Sequence, residues 1–126
     1  MKFSIPPFLC VGAVVTLAAV GCGRKETQVD ATQPLQESFK TAEPKVKQAI
    51  ETVNGHLKSK DYTAAARTLA PVVLQQRLTE PERRAVGVAL EQINQGIAAN
   101  RSLDTKEMYE LRSKMFHAVH HGGPRF

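Results

Sequence analysis

Apolar residues beyond position 41 recur every three or four positions in four separate stretches. This spacing places them on one side of an α-helix, where neighbouring helices can bury them. No stretch is a convincing strand. The sequence therefore predicts four helices, with Phe116 beside the last apolar stripe. The four stripes are Val46, Ile50, Val53 and Leu57; Tyr62, Ala65, Ala66, Leu69, Val72 and Val73; Val86, Leu90, Ile93 and Ile97; and Met108, Leu111, Met115 and Val119.

Capping residues mark the starts of the last two helices. Thr79 and Glu82 have the Thr-x-x-Glu spacing of a capping box, and Asp104 and Glu107 predict a second one. Pro71 lies inside the second stripe. Because Pro lacks an amide hydrogen and clashes with the preceding turn, we expect a kink or a split there.

Short polar connections join the four helices, so they pack most simply as two antiparallel αα-hairpins around one core. The predicted fold class is all-α, a small bundle of about four helices over residues 38–121. The chain has 126 residues and no Trp. A domain of this size has a large surface for its volume, so we expect a thin core.

The connection between the first two helices has a pattern of its own. The stretch LKSKDYTAAARTLAPVV resembles the middle of a tetratricopeptide-type hairpin, in which an Asp-Tyr turn precedes Ala and then a large apolar residue, here Asp61, Tyr62, Ala65 and Leu69. The resemblance covers one repeat, about residues 49–78, without a second copy. It implies a hairpin whose groove at Tyr62, Ala65 and Leu69 accepts a segment of a partner protein. The alternative is an ordinary αα-hairpin.

The N-terminal segment has a different pattern from the rest of the chain. Residues 8–20 form a run of thirteen weakly polar to apolar residues, FLCVGAVVTLAAV, and charged residues begin at Arg24. A helix needs about 20 apolar residues to cross a bilayer, and this run is shorter. Its length, the small residues at its end and the polar sequel predict a cleaved secretory signal.

The end of this run resembles the signal of bacterial lipoproteins. Ala19-Val20-Gly21-Cys22 resembles a lipobox, in which apolar and small residues precede an obligatory Cys. The resemblance implies that the Cys22 thiol is diacylglycerylated, that a dedicated peptidase cuts between Gly21 and Cys22, and that the new amino group is acylated. No other cofactor is expected. Two alternatives remain: an ordinary signal peptide cut near Ala19 or Gly21, and an uncleaved short anchor.

These boundaries divide the chain into four parts. Residues 1–21 are the predicted signal peptide, and residues 22–37 are the predicted lipidated Cys with a flexible tether. The helical domain spans 38–121, and residues 122–126, which contain Gly-Gly-Pro, are predicted to be a disordered tail. Gly23, rather than Asp, follows the Cys, which in the lipoprotein sorting rule is compatible with the outer membrane.

Charge argues against a nucleic-acid partner. The formal net charge is +5, but Lys and Arg are interleaved with Glu and Asp along the helices. A nucleic-acid-binding domain usually gathers its cations on one stripe. The expected partners are therefore a membrane, reached through the lipid anchor, and another envelope protein.

The sequence contains few residues suited to chemistry. His117 and His121 are four apart, which is a half-site spacing for zinc, and they are weak candidates for a metal site. The alternative is a polar helix end where histidines interact with the helix dipole. The sequence shows no Ser/His/Asp arrangement, Gly-rich phosphate loop or paired acid motif, so no enzyme activity is expected. We therefore expect a lipid-anchored interaction or scaffolding protein; the alternatives are a metal-binding envelope protein and a soluble secreted one.

Overall fold

The computed structural model describes residues 28–122, and this part of the chain is all-α, with no strand. It contains five α-helices and one 3₁₀ turn. One helix more is present than the apolar stripes predict. The helices are α1 (Thr32–Ser38), α2 (Pro44–Lys58), α3 (Tyr62–Gln75), α4 (Glu80–Ala99) and α5 (Lys106–His120), with the 3₁₀ turn Arg101–Leu103 between α4 and α5.

Successive helices run in opposite directions, so the bundle has two ends. The near end comprises residues 28–31, 59–61 and 100–105, and the far end comprises 39–43, 76–79 and 121–122. Helices α2 and α3 form one hairpin, and α4 and α5 form the other. Helix α1 packs against both α2 and α4, and α3 contacts α2, α4 and α5. Helix α1 therefore joins the two hairpins on the side opposite α5.

The predicted apolar stripes form the core. Every stripe residue is buried except Leu111, which is half-buried against the core. The largest fully buried side chains also include Leu35 and Phe39, which no stripe predicts. The core is therefore built by all five helices.

The tether predicted for residues 22–37 is wrong from Ala31 onward. Leu35 is fully buried, and so is Phe39 directly after α1. These two side chains are four residues apart, which places them on the same side of one helical turn. Because they insert between α2 and α4, residues 32–38 are helical and belong to the bundle.

The helix starts confirm one predicted cap and correct the other. The Thr79–Glu82 capping box at α4 is present, with the Glu82 amide donating to the Thr79 hydroxyl at 3.4 Å. At α5 the cap is Thr105, whose hydroxyl accepts from the Met108 amide at 3.2 Å. Asp104 was predicted to be this cap, but its carboxylate instead accepts from Arg112 at 2.6 Å.

Helix α3 continues through Pro71 without a split. Pro71 leaves the carbonyl of Arg67 without its helical donor. Both residues are exposed, so water can hydrate that carbonyl. Among residues 28–122, none of the helices combines the length and hydropathy that crossing a membrane requires.

A close contact between Tyr62 and Gly96 joins the two hairpins at the near end. Tyr62 is the first residue of α3 and is 9% exposed. Its ring lies against Gly96 of α4 so closely that a Cβ at position 96 would overlap it. Gly87, on the same helix, has open space around the corresponding position. The approach of α3 to α4 therefore requires Gly at 96 and not at 87.

This contact predicts opposite effects for two substitutions in α4. Gly96→Ala should lower the free energy of unfolding by about 1–3 kcal/mol, because the new methyl group forces the Tyr62 ring to move. Gly87→Ala should raise it by up to about 1 kcal/mol, since Ala favours a helix more than Gly does. Urea denaturation of the domain measures both.

The Tyr62→Ala variant is the control for the contact between the Tyr62 ring and Gly96. With the ring absent, Gly96→Ala should no longer destabilise the protein, as a double-mutant cycle would show. An equal loss of stability with and without the Tyr62 ring would contradict the contact.

Candidate functional site

The predicted groove at Tyr62, Ala65 and Leu69 is not open. Ala65 and Leu69 have no exposed surface, and Tyr62 retains 9%. The small Ala65 lets α2 and α3 pack closely, and this packing fills the space that a partner segment would need. These residues therefore belong to the core, and only Tyr62 reaches the surface.

Side-chain amides hold the chain where it enters the bundle. The Ala31 amide donates to Gln92 Oε1 at 2.9 Å, and the Val29 amide donates to Gln95 Oε1 at 3.2 Å. On the other side, Asn54 Nδ2 donates to the Thr32 carbonyl at 3.1 Å. Gln92 is 8% exposed, so its hydrogen bond is shielded from water. Residues 29–32 are thus fixed between α2 and α4 by side chains far along the sequence.

Asp30 directly precedes Ala31, the N-cap residue of α1, and binds the first residue of that helix. Its carboxylate accepts from the Thr32 hydroxyl at 2.7 Å and from the Thr32 amide at 2.9 Å. These hydrogen bonds, the hydroxyl first, lower the pKa of Asp30 from its ordinary value of 3.8. At a pH above 3.8, the ionised carboxylate therefore stabilises the folded turn. This contribution to stability is lost as the pH falls through the lowered pKa.

A recess with both polar and apolar lining lies beside this segment at the near end. Its volume is about 480 Å³, and Tyr62 and Lys60 line it together with the amide side chains of Gln28, Gln95 and Asn100. A second recess of about 350 Å³ shares Gln28, Lys60 and Tyr62. These groups can donate and accept hydrogen bonds. Asp30 and Thr32 also line the second recess, where the Thr32 hydroxyl donates to the Asp30 carboxylate at 2.7 Å in an exposed contact.

The two candidate metal ligands lie at the other end of the bundle. The His117 and His121 rings are stacked, with centroids 5.5 Å apart. Within residues 28–122, no third His, Cys, Asp or Glu joins them in a group that could hold a metal ion. A closed metal site in a protein generally needs more than two such ligands.

An exposed aromatic pair on α5 is a surface feature that the sequence analysis did not predict. Tyr109 is 66% exposed and Phe116 is 51% exposed. Seven residues separate them, so they lie on one side of the helix about 10 Å apart. Ser113 lies between them on the same side, and the Phe116 ring packs on His120 with centroids 4.1 Å apart. We call Tyr109, Ser113, Phe116 and His120 the aromatic face.

The aromatic face had a signal in the sequence, although a weak one. The stripe of α5 accounts for Met108 and Met115, and each aromatic residue directly follows one of these. Two aromatic residues at a spacing of seven, one position off the apolar stripe, indicate a second apolar surface on the same helix.

The predicted lipidation and cleavage residues, Cys22 and Gly21, lie outside the described residues. The same holds for the predicted signal peptide 1–21, for tether residues 22–27 and for tail residues 123–126. No protein-family model matches the chain, and no curated protein or solved structure matches it.

Proposed function

We propose that this protein is a bacterial lipoprotein, anchored by acyl chains on Cys22 to the periplasmic face of the outer membrane. Its helical bundle is a protein-interaction module without catalytic activity, and its partner is another envelope protein. The anchor brings the bundle to the membrane surface, and the bundle presents its binding surface to the partner.

The lipobox-like residues support the anchor. Gly21 and Cys22 follow a short apolar run and precede a polar segment, as in a processed signal. A thiolate is a good nucleophile for forming a thioether with a lipid carrier. Two or three acyl chains give much more durable membrane binding than one, so Cys22 alone can hold the protein at the membrane.

The aromatic face is the observation that carries the interaction function. Tyr109 and Phe116 are the large apolar side chains that residues 28–122 leave exposed. Aromatic residues are enriched at protein interfaces, where they bury much area at little entropic cost. Ser113 and His120 can supply polar contacts beside them. The matching surface is an apolar groove or helix on the partner.

The charges of the bundle support a protein partner over a nucleic acid. Many cations are paired with neighbouring carboxylates, such as Arg67 with Glu107 at 3.2 Å and Arg84 with Glu80 at 3.3 Å. Cations and carboxylates alternate in this way on α4 and α5. Such a surface lacks the continuous positive stripe that phosphate backbones require.

The anchor predicts that lipid incorporation depends on one residue. In bacteria fed a labelled fatty acid, the wild-type chain should incorporate label and lose residues 1–21. Cys22→Ser should remain unlabelled and uncleaved, because Ser cannot form the thioether. Cys10→Ser is the matched control and should behave as wild type. Equal labelling of wild type and Cys22→Ser would contradict the anchor.

The aromatic face predicts position-dependent crosslinking in intact cells. A photo-crosslinking amino acid at position 109 or 116 should form one discrete adduct, because these positions lie in the interface. The same amino acid at Glu91, an exposed site on α4, should not form it. The mass of the adduct, read by immunoblot and mass spectrometry, identifies the partner.

Two further results bear on this interface. Phe116→Ala should reduce the adduct from position 109 at least several-fold, since it removes the neighbouring apolar contact. Adducts of equal yield at positions 91, 109 and 116 would show that the aromatic face has no specific partner.

A further inference from the structure

We infer that the near end of the bundle faces the lipid surface that holds Cys22, and that Lys58, Lys60 and Arg101 contact anionic headgroups there. The inference rests on the proposed lipidation of Cys22. It adds an orientation for the bundle and a second contact with the membrane, made by the folded domain itself.

The number of residues between Cys22 and Gln28 limits how far the bundle can lie from the membrane. Gln28 is the first described residue and is six residue steps from Cys22. A fully extended chain spans at most about 3.5 Å per residue, so these six steps cannot exceed about 20 Å. A tether extending to residue 37 would have reached more than twice as far. The bundle is therefore held close to the surface in which the acyl chains insert.

The position of Gln28 determines which end of the bundle is held near the membrane. The amides of Val29 and Ala31 are fixed by Gln95 and Gln92, in the second half of α4. Gln28 itself lines the recess with Lys60 and Asn100, both at the near end. The chain therefore leaves the bundle at the near end and not along its side.

The length of α4 excludes the opposite orientation. Helix α4 has 20 residues, which corresponds to about 30 Å. With the far end on the membrane, Gln28 would lie about 30 Å above the surface. Six residue steps cannot cover that distance. Only orientations that bring the near end to within about 20 Å of the headgroups are compatible with the anchor.

Three exposed cations lie in the near end or next to it, Lys58, Lys60 and Arg101, and none of them forms an ion pair within residues 28–122. After the hydrogen bonds from Thr32, the charge of Lys58 contributes weakly to the lowered pKa of Asp30. Lys60 has a φ of 60° in the turn between α2 and α3, so its position is set by the fold. Basic groups that come within a Debye length of a membrane, about 10 Å, are attracted to anionic lipids.

The carboxylates of the near end have other hydrogen-bond partners. Asp61 accepts from the Ala64 amide at 3.1 Å as the cap of α3, and Asp104 accepts from Arg112 at 2.6 Å. Asp30 accepts from Thr32. One oxygen of each carboxylate is thus engaged within the bundle, whereas Lys58, Lys60 and Arg101 have no ion-pair partner within residues 28–122.

Energy transfer to a lipid surface tests the orientation. The lipidated full-length chain is reconstituted into vesicles that contain a headgroup-labelled acceptor lipid. A donor dye is placed on Ser59→Cys at the near end or Thr41→Cys at the far end, both exposed loop residues. In the processed chain these are the only free thiols, because the Cys22 sulfur carries the lipid and Cys10 is removed. Transfer should be strong from position 59 and weak from position 41.

Charge reversal tests the headgroup contact. Transfer from position 59 should be stronger on vesicles with 30% phosphatidylglycerol than on pure phosphatidylcholine. The triple variant K58E/K60E/R101E should lose this difference. The matched variant K40E/K45E/K47E changes three exposed lysines in or near the far end by the same charge, and it should retain the difference.

The possible outcomes distinguish a failure of the proposed orientation from a failure of the proposed lipidation of Cys22. Equal transfer from positions 59 and 41, or stronger transfer from 41, would overturn the orientation, and an equal response of both triple variants would overturn the headgroup contact. The mass of the N-terminal peptide is measured on the same sample. An N-terminus without lipid would refute the proposed function instead, whatever the transfer shows.

Discussion

The hydrogen bond from the Ala31 amide to the buried Gln92 side chain determines how the chain is connected to the bundle. It is 2.9 Å long and links residues 61 apart in the sequence. A buried donor without an acceptor would cost about 1–3 kcal/mol, so the chain before α1 is held firmly at this point. With Leu35 and Phe39 inserted behind it, this bond makes α1 part of the core and fixes the end at which the chain leaves the domain.

The placement of α1 connects the fold to the proposed function. Residues 28–31 are already held against the bundle, so under the proposed anchor only six residue steps would separate Cys22 from it, and the near end would stay beside the membrane. Helix α5 runs from the near end toward the far end, so Phe116 lies farther along the bundle than Tyr109. In the proposed orientation, the aromatic face would extend away from the membrane along the side of the bundle, where a partner protein could reach it.

The sequence predicts the helices that have a periodic stripe of apolar residues. It does not predict the features that depend on a single contact between residues far apart in the chain. Stripes of four or more apolar residues locate α2 to α5, and the Thr79–Glu82 box places the start of α4. Helix α1 has only Leu35 and Phe39, which is too few for a period. Nothing in the neighbouring sequence shows that the Gln92 side chain accepts a hydrogen bond from the Ala31 amide.

The start of α5 also depends on a contact outside the local sequence. Asp104 and Thr105 are both residue types that cap helices well, and Asp104 is not the cap because it binds Arg112. Similarly, the local pattern at Ala65 and Leu69 predicts a groove, but both side chains are fully buried by the rest of the bundle, so that groove is closed.

Amide hydrogen exchange tests the connection at α1 most directly. In the wild-type protein, the hydrogen-bonded amides of Ala31 and of residues 35–39 should exchange as slowly as those of α4, because they open only when the bundle unfolds. Gln92→Ala should speed exchange of the amides of Ala31 and residues 35–39 much more than in α5, whereas Gln48→Ala, at an exposed site on α2, should change neither. Exchange of Ala31 and residues 35–39 at the rate of an unfolded chain in the wild type would contradict the account.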